Sequence, residues 1–312
     1  MSINLPPSSL PRVVIAGGGF AGLKLAQALD SSLFQIVLID HHNYHQFPPL
    51  IYQVASSGLE PSSIAFPFRA AFKRKKNFIF RLANVIGVEP EQKQLITSVG
   101  EVPYDYLVLA CGGTTNYFGN EQVAKHSLPM KTLYESMNLR NVLLQNIEKA
   151  LVSDKPETRE ALLTVVIVGG GPSGVEIAGA LAEMMRYVLP KDYPDMEMDQ
   201  FKIHLIDASP RLLQAMSEKS SRTAAEGLTS LGVEIHHNVM VTDYDGRVLT
   251  LGDGTKMNTR TVIWVSGIVA NTIEGIQADS LGRGKRILVD GYNEVQGIPN
   301  VFALGDQCLM TA

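Results

Sequence analysis

The sequence predicts an α/β fold, and three observations carry that prediction. Two glycine loops of one design recur, Gly17-Gly18-Gly19-Phe20-Ala21-Gly22 and Gly169-Gly170-Gly171-Pro172-Ser173-Gly174. Each is entered from a short apolar run, Val13-Val14-Ile15-Ala16 and Val165-Val166-Ile167-Val168, and each is left by a helical pattern. A second apolar run then ends in an acid both times, Phe34 to Ile39 before Asp40 and Lys202 to Ile206 before Asp207.

A strand-to-helix turn of this kind needs glycine where the chain bends, where backbone approaches a pyrophosphate, and where the helix packs on the strand. Gly17, Gly19 and Gly22 fill these places in the first loop, and Gly169, Gly171 and Gly174 in the second. Phe20 and Ala21, like Pro172 and Ser173, open the helices whose N-termini offer N–H groups to phosphates. One such loop is weak evidence, because glycine also ends strands for structural reasons. Two in the same context predict two Rossmann-like dinucleotide-binding units rather than decorative turns. Asp40 lies near the usual interval of about twenty residues for a ribose-binding carboxylate. Asp207 comes later, after an intervening segment from Met184 to Gln200. Such a carboxylate accepts hydrogen bonds from ribose hydroxyls and repels a 2′-phosphate, favouring unphosphorylated cofactors at both sites. The nearby Arg211 weakens that inference a little.

Between the units the pattern changes several times. His41 to Leu50 is rich in histidine and aromatic residues, but adjacent prolines, no helical His spacing and no nearby cysteine favour loop packing over a metal site. Short strand patterns follow at Phe78–Arg81, Gly87–Glu89, Gln94–Thr97 and Tyr106–Ala110, the last running into Cys111-Gly112-Gly113. From Thr132 to Val152 apolar residues recur with helical period, and Ser153 to Glu160 reads as a linker. After Asp207 come a helix over Glu218–Leu231, a strand at Val233–His236, a hairpin region around Asp245-Gly246 and Asp253-Gly254, and the run Val262 to Gly267. A short strand after Ile298 delivers the turn Gly305-Asp306.

Size and composition agree with two such units. The 312 residues, 45% hydrophobic and 19% charged, are those of an ordinary α/β globule. A net charge of −4 gives no electrostatic case for nucleic acid. The cluster Arg69, Lys73, Arg74, Lys75 and Lys76 reads as a solvated helix face, with anionic lipid as the alternative. No apolar run is long enough to span a bilayer and the N-terminus lacks a signal pattern, so a soluble chain in a reducing setting is expected. The only cysteines are Cys111 and Cys308, which allow neither a disulfide framework nor a four-ligand metal site.

Taken together, these residues resemble the two-dinucleotide flavoprotein superfamily, over essentially the whole chain. Within it they are most similar to type II NADH:quinone oxidoreductases, the single-subunit, non-pumping respiratory dehydrogenases. Asn43 to Ala55 resembles that family's segment beside the flavin, Gly169 to Glu183 its NADH loop, and Thr261 to Asn271 its second cofactor-facing strand and turn. The resemblance implies that the second unit is inserted in the first. It divides the chain into an FAD-binding domain of residues 1–118 and 284–312 around an NADH-binding domain of residues 119–283. It assigns FAD to Gly17, Gly19, Phe20, Ala21, Gly22, Asp40, Gln53, Cys111, Gly112, Gly305 and Asp306, with Asp306 on the ribityl chain. It assigns NADH to Gly169, Gly171, Pro172, Ser173, Gly174, Glu176, Asp207, Ser266 and Gly267. No metal is expected. Disulfide reductases of the superfamily carry a cysteine pair soon after the first acid, and none lies between Asp40 and Ala70, which excludes thiol reduction by that route. Cys111 stands where the family usually has Thr, and reads as a small buried strand-end residue.

The resemblance further implies a hydride passed from NADH to FAD, then electrons to a membrane quinone. Glu176, in the first turn of the second loop's helix, is the candidate catalytic carboxylate. Its alternative is plain complementation of the helix dipole. The quinone site and a C-terminal membrane-binding region are expected beyond Ala312, placing the full protein peripherally on the cytoplasmic face of the inner membrane and allowing a homodimer. Two other readings stay open at this point: a reductase of a ferredoxin- or rubredoxin-type carrier, and an NADH-responsive flavoprotein with an interaction role.

Overall fold

Strands that are apolar at every position can be buried on both faces, and such strands set the architecture here. The computed structural model describes residues 3–310. In chain order the elements that matter are β1 (Arg12–Ala16), α1 (Phe20–Ala28), β2 (Gln35–Asp40), α2 (Ile51–Ala55), β3 (Phe78–Leu82), β4 (Tyr106–Leu109), β5 (Leu128–Pro129) and α3 (Leu133–Val152). They continue with β6 (Thr164–Val168), α4 (Pro172–Tyr187), β7 (Lys202–Asp207), α5 (Glu218–Ser230), β8 (Val233–His237), β9 (Thr261–Trp264) and β10 (Val301–Ala303).

The chain packs as two units. The first comprises the chain up to Gln46, Ala65–Thr114, and the stretch from Ile268 on; the second comprises Phe47–Ile64 and Thr115–Gly267. The first unit's parallel sheet has the order β10-β4-β1-β2-β3, with Val14 paired to Val37 on one side and Leu107 on the other. The pleat divides its side chains: Val14, Ala16, Val37 and Ile39 pack under a small antiparallel sheet carrying Val88, Leu95 and Val102, while Val13, Ile15, Ile36 and Leu38 meet Ala26, Phe68 and Phe72. Full burial of each such side chain contributes about 1.5–3 kcal/mol.

The second unit repeats the plan, with the parallel order β5-β9-β6-β7-β8. Strand β6 corresponds to β1, β7 to β2, β8 to β3 and β9 to β4. In each sheet the chain leaves the central strand on one side and later returns on the other, so the glycine loop sits where the strand order reverses, the usual ligand position in open α/β sheets. Helix α3 begins at a full capping box, Thr132 receiving the Glu135 N–H while the Glu135 side chain accepts the Thr132 N–H.

Two local expectations change. The stretch expected as a linker, Ser153 to Glu160, runs into a helix over Pro156–Leu163, started by proline in the first turn and held by buried Ala161, Leu162 and Leu163. The basic cluster is not one helix face, since the helix there covers only Phe68–Ala71. Lys75 instead donates to the Gln27 and Leu29 carbonyls at 2.9 and 2.7 Å, closing the end of α1, and the Arg69 guanidinium lies over the Phe80 ring. Helix α2 packs on α3 and α4, which brings residues 47–64 to the second unit. The stretch after Gly267 joins the first, because Asn271 bonds to the Gly112 and Cys111 carbonyls at 3.1 and 2.8 Å. Thr311, Ala312 and the expected membrane-binding region beyond lie outside the described residues.

Candidate functional site

Each glycine in the first loop answers a different neighbour. Gly17 has φ +104°, a left-handed conformation, and a Cβ there would run into the Ala110 carbonyl and the Cα of Cys111. A Cβ at Gly18 would meet the Phe68 ring, and one at Gly22 the Gly17 carbonyl oxygen. Gly19 differs, with nothing within 4 Å of its Cβ position. Packing therefore explains three of the glycines, and open space beside the backbone is left at the fourth. Gly19 is also the N-cap of α1, and no side chain caps the helix there. An open cradle at a helix end without a side-chain cap fits a pyrophosphate.

The second loop reproduces this point by point. Gly169 has φ +119° and is pressed against Val265 and Ser266, Gly170 against Leu212 and Asp207, and Gly174 against the Gly169 carbonyl. Gly171 again faces nothing within 4 Å and is the N-cap of α4, followed by Pro172 at its first position. By this equivalence Ser266 occupies the place of Cys111, and both are followed by a glycine with positive φ, Gly267 at +88° and Gly112 at +67°.

The two acids are oriented alike. Asp40 accepts the Gly18 N–H at 2.6 Å on one oxygen and the His42 N–H at 2.7 Å on the other. Asp207 accepts the Gly170 N–H, and the Ser209 N–H at 2.6 Å. Each carboxylate is thus fixed to its own glycine loop while its remaining lone pairs can take ribose hydroxyls. Arg211 folds back onto the loop, donating to the Gln214 and Met216 carbonyls at 2.8 and 3.0 Å, which engages the group that could have received a 2′-phosphate. His237, paired in register with Asp207, has a buried Nδ1 with no partner among the described residues. No motif signalled it, since its neighbourhood with Asp207 follows from strand register.

Around the first acid, His41 and His42 lie 3.6 and 3.8 Å from Asp40. Burial, with help from His41, pushes the His42 pKa down against the opposing pull of Asp40. His45 anchors the loop, its Nδ1 2.9 Å from the Gly18 carbonyl and its ring edge-on to Phe20.

The Gly305-Asp306 turn is brought to the same place. Gly305 has φ +71°, and its Cβ position lies 3.3 Å from the Ala21 side chain, in the first turn of α1. Gln307, fully buried, holds that turn: its Oε1 accepts the Cys111 N–H at 2.7 Å and its Nε2 donates to the Asn271 carbonyl at 3.0 Å. Cys111, Asn271 and Gln307 thus join three segments of the first unit, and neither Asn271 nor Gln307 stood out in the sequence. The Cys111 thiol donates to the Ala16 carbonyl at 3.4 Å, and burial pushes its pKa up to about 12. A thiol so held has negligible thiolate at neutral pH and is structural. The Cys308 thiol is also pushed up by burial.

Gln53 and Glu176 lie in the second unit, on α2 and α4, which pack together. Glu176 is exposed, yet the protein around its carboxyl raises its pKa above the ordinary carboxylate value.

Residues 11–312 match the pyridine nucleotide-disulphide oxidoreductase family. The chain is 34% identical to a type II NADH:quinone oxidoreductase of Mycobacterium tuberculosis, over 98% of this chain and 70% of the relative. It is 30% identical to the external alternative mitochondrial NADH-ubiquinone oxidoreductase of Yarrowia lipolytica, over 97% of this chain and 57% of the relative. The solved structure of NDH2 from Plasmodium falciparum in complex with NADH superposes with a TM-score of 0.89 at 25% identity, covering 96% of this chain and 64% of that one.

Proposed function

This chain belongs to the pyridine nucleotide-disulphide oxidoreductase family, among the type II NADH:quinone oxidoreductases, and we propose that it holds FAD in its first unit and NADH in its second to reduce a membrane quinone without pumping protons. The observation that carries this is the duplicated cradle, in which Gly19 and Gly171, unlike the other glycines of their loops that pack against neighbours, present open backbone at the start of helices without side-chain caps. Bound FAD supplies the two-electron chemistry between a nicotinamide and a quinone. The protein contributes binding and orientation. In the first unit Gly17, Gly19, Phe20, Ala21 and Gly22 form the pyrophosphate cradle, Asp40 accepts the adenosine ribose hydroxyls, Cys111 and Gly112 close the loop's far side, and Gly305-Asp306 takes the ribityl chain. In the second, Gly169, Gly171, Pro172, Ser173 and Gly174 cradle the NADH pyrophosphate, Asp207 takes its ribose, and Ser266 and Gly267 line the approach.

Residues 1–118 and 284–312 are read as the FAD-binding domain and residues 119–283 as the NADH-binding domain. The chain spans 57–70% of the length of the two enzymes named above, and the quinone site, a C-terminal membrane-binding region, a place on the cytoplasmic face of the inner membrane and a homodimer all belong to the proposed reading. No helix among the described residues is long and apolar enough to cross a membrane. The quinone-reducing names of these relatives favour quinone over a carrier protein as acceptor. The direct test is reconstitution of the full-length protein, including the residues beyond Ala312, with FAD, followed by NADH oxidation with a soluble quinone. Failure to bind flavin, or flavin reduced by NADH that quinone does not reoxidise, would overturn the reading.

NADH is expected to be preferred over NADPH, because Asp207 repels a 2′-phosphate and Arg211 is engaged by the loop. Asp207→Asn should narrow the preference by about tenfold, equivalent to about 1.4 kcal/mol of lost repulsion. The ratio of kcat/KM values for the two cofactors reads this, and an unchanged ratio would count against Asp207.

Glu176 is proposed to position nicotinamide or handle quinone protons, and its burial-raised pKa brings it closer to working pH. Glu176→Gln should slow quinone turnover about 10²-fold with FAD content intact. The linked stability has a definite sign. Since the folded pKa is raised, the unfolded chain loses this proton first, so stability is highest below the ordinary Glu pKa and declines as pH rises to the raised value. The Gln variant lacks that decline. Parental turnover in the variant would leave Glu176 a helix-dipole residue.

A further inference from the structure

We propose that His204, Glu234 and His236 form a binding site for a divalent transition-metal ion, with zinc as its natural probe, on the outer strand pair of the second unit's sheet. His204 stands on β7 and Glu234 and His236 on the edge strand β8, in the register His204 with Glu234 and Ile206 with His236. Positions two apart on a strand share a face, as do registered partners on neighbouring strands, so all three side chains rise from one face. His204 Nδ1 lies 3.2 Å from His236 Nε2 and 3.3 Å from the Glu234 carboxylate. All three donor atoms fall within 4.8 Å of one another.

These separations suit an ion. A tetrahedral zinc with bonds of about 2.0–2.1 Å keeps neighbouring ligand atoms about 3.3 Å apart, so two edges of the polyhedron are already in place. Two imidazoles and one carboxylate form a borderline donor set that suits zinc, nickel or copper better than calcium or magnesium. His204 is buried, Glu234 is exposed and His236 is half-buried, so the site opens on one side, where water can take a fourth position. Lys202, two positions before His204 on β7, has its charge countered by Glu160 at 2.8 Å. Without metal, a ring nitrogen facing another at 3.2 Å requires one of them to carry a proton; an ion replaces that proton and satisfies both rings. The bound ion clips the edge strand to β7, the strand that ends in Asp207. The sequence gives no hint of the site because its ligands lie on different strands, and their encounter depends on register.

The experiment uses the full chain stripped with chelator. Zinc binding is followed by titration calorimetry and by melting temperature, and cobalt substitution by visible absorption. The parent is expected to bind zinc, to melt higher with it, and to give the ligand-field absorption of tetrahedral cobalt. Because His204 is buried, the exposed and half-buried ligands carry the test. Glu234→Gln and His236→Asn should each weaken zinc at this site at least about tenfold and remove its melting shift, with NADH oxidation otherwise available as a check of folding. Zinc bound with unchanged stoichiometry, affinity and melting shift in both variants would place the ion elsewhere, for example at Asp40, His41 and His42, and overturn the proposal. A parent that binds no zinc would overturn it as well, leaving a plain hydrogen bond between two histidines.

Discussion

Gly171→Ala is expected to raise the KM for NADH about a hundredfold while FAD content and melting temperature keep their parental values. Gly171 has φ −74° and ψ −176°, extended backbone that alanine adopts without strain, and its Cβ position has no neighbour within 4 Å. The methyl therefore disturbs nothing in the protein. It enters only the space in which a pyrophosphate would reach the backbone, where a shift of about an ångström separates productive from unproductive binding. Gly174→Ala is the opposing control, because its methyl runs into the Gly169 carbonyl and should disrupt the turn itself. Steady-state kinetics with flavin absorbance and a melting curve distinguish the two. Parental KM in Gly171→Ala would mean that the open space at this loop is not the cofactor's path.

The contrast between those glycines also shows what could be read before the structure. Spacing alone assigned the bend, the open approach and the helix contact to Gly17, Gly19 and Gly22 and to their counterparts; in the fold a Cβ would be blocked at the first and third of each set and free at the second. Asp40 and Asp207 were legible because a strand end is a local feature. The later position of Asp207 has a simple cause: α4 has 16 residues against nine in α1, and a further turn at Leu189–Asp192 follows it.

What escaped the sequence depends on distant partners. Cys111 and Ser266 occupy equivalent places in the two units yet share no chemistry that would align them, and only the contacts of Gly17 and Gly169 reveal the match. The stretch around Gln53 follows the first acid, yet its helix packs with α3 and α4. Likewise the His-rich loop drew attention as a possible ligand set, whereas His204 and His236, 32 residues apart on neighbouring strands, did not. Register and packing decide such encounters, and neither is a local property of the chain.

Gln307→Leu is expected to destabilise the first unit by about 2–6 kcal/mol and to strip it of flavin. Gln307 is fully buried and serves two backbone groups at once, accepting from the Cys111 N–H at 2.7 Å and donating to the Asn271 carbonyl at 3.0 Å. Leucine fills similar volume but orphans both, and each buried unpaired group costs about 1–3 kcal/mol. The consequence for binding follows from position. Gln307 closes the turn that begins at Gly305, and Gly305 rests against Ala21 at the start of α1, so loosening the glutamine frees the Gly305-Asp306 turn from the start of that helix. Gln307→Glu should be tolerated no better than the leucine variant at neutral pH, since an ionised carboxylate there is buried without a counter-charge and faces the Asn271 carbonyl oxygen, to which it can donate nothing. Flavin retained through gel filtration and the melting of its absorbance measure both effects. A leucine variant that melts with the parent and keeps its flavin would show that the three segments are held by something other than this side chain.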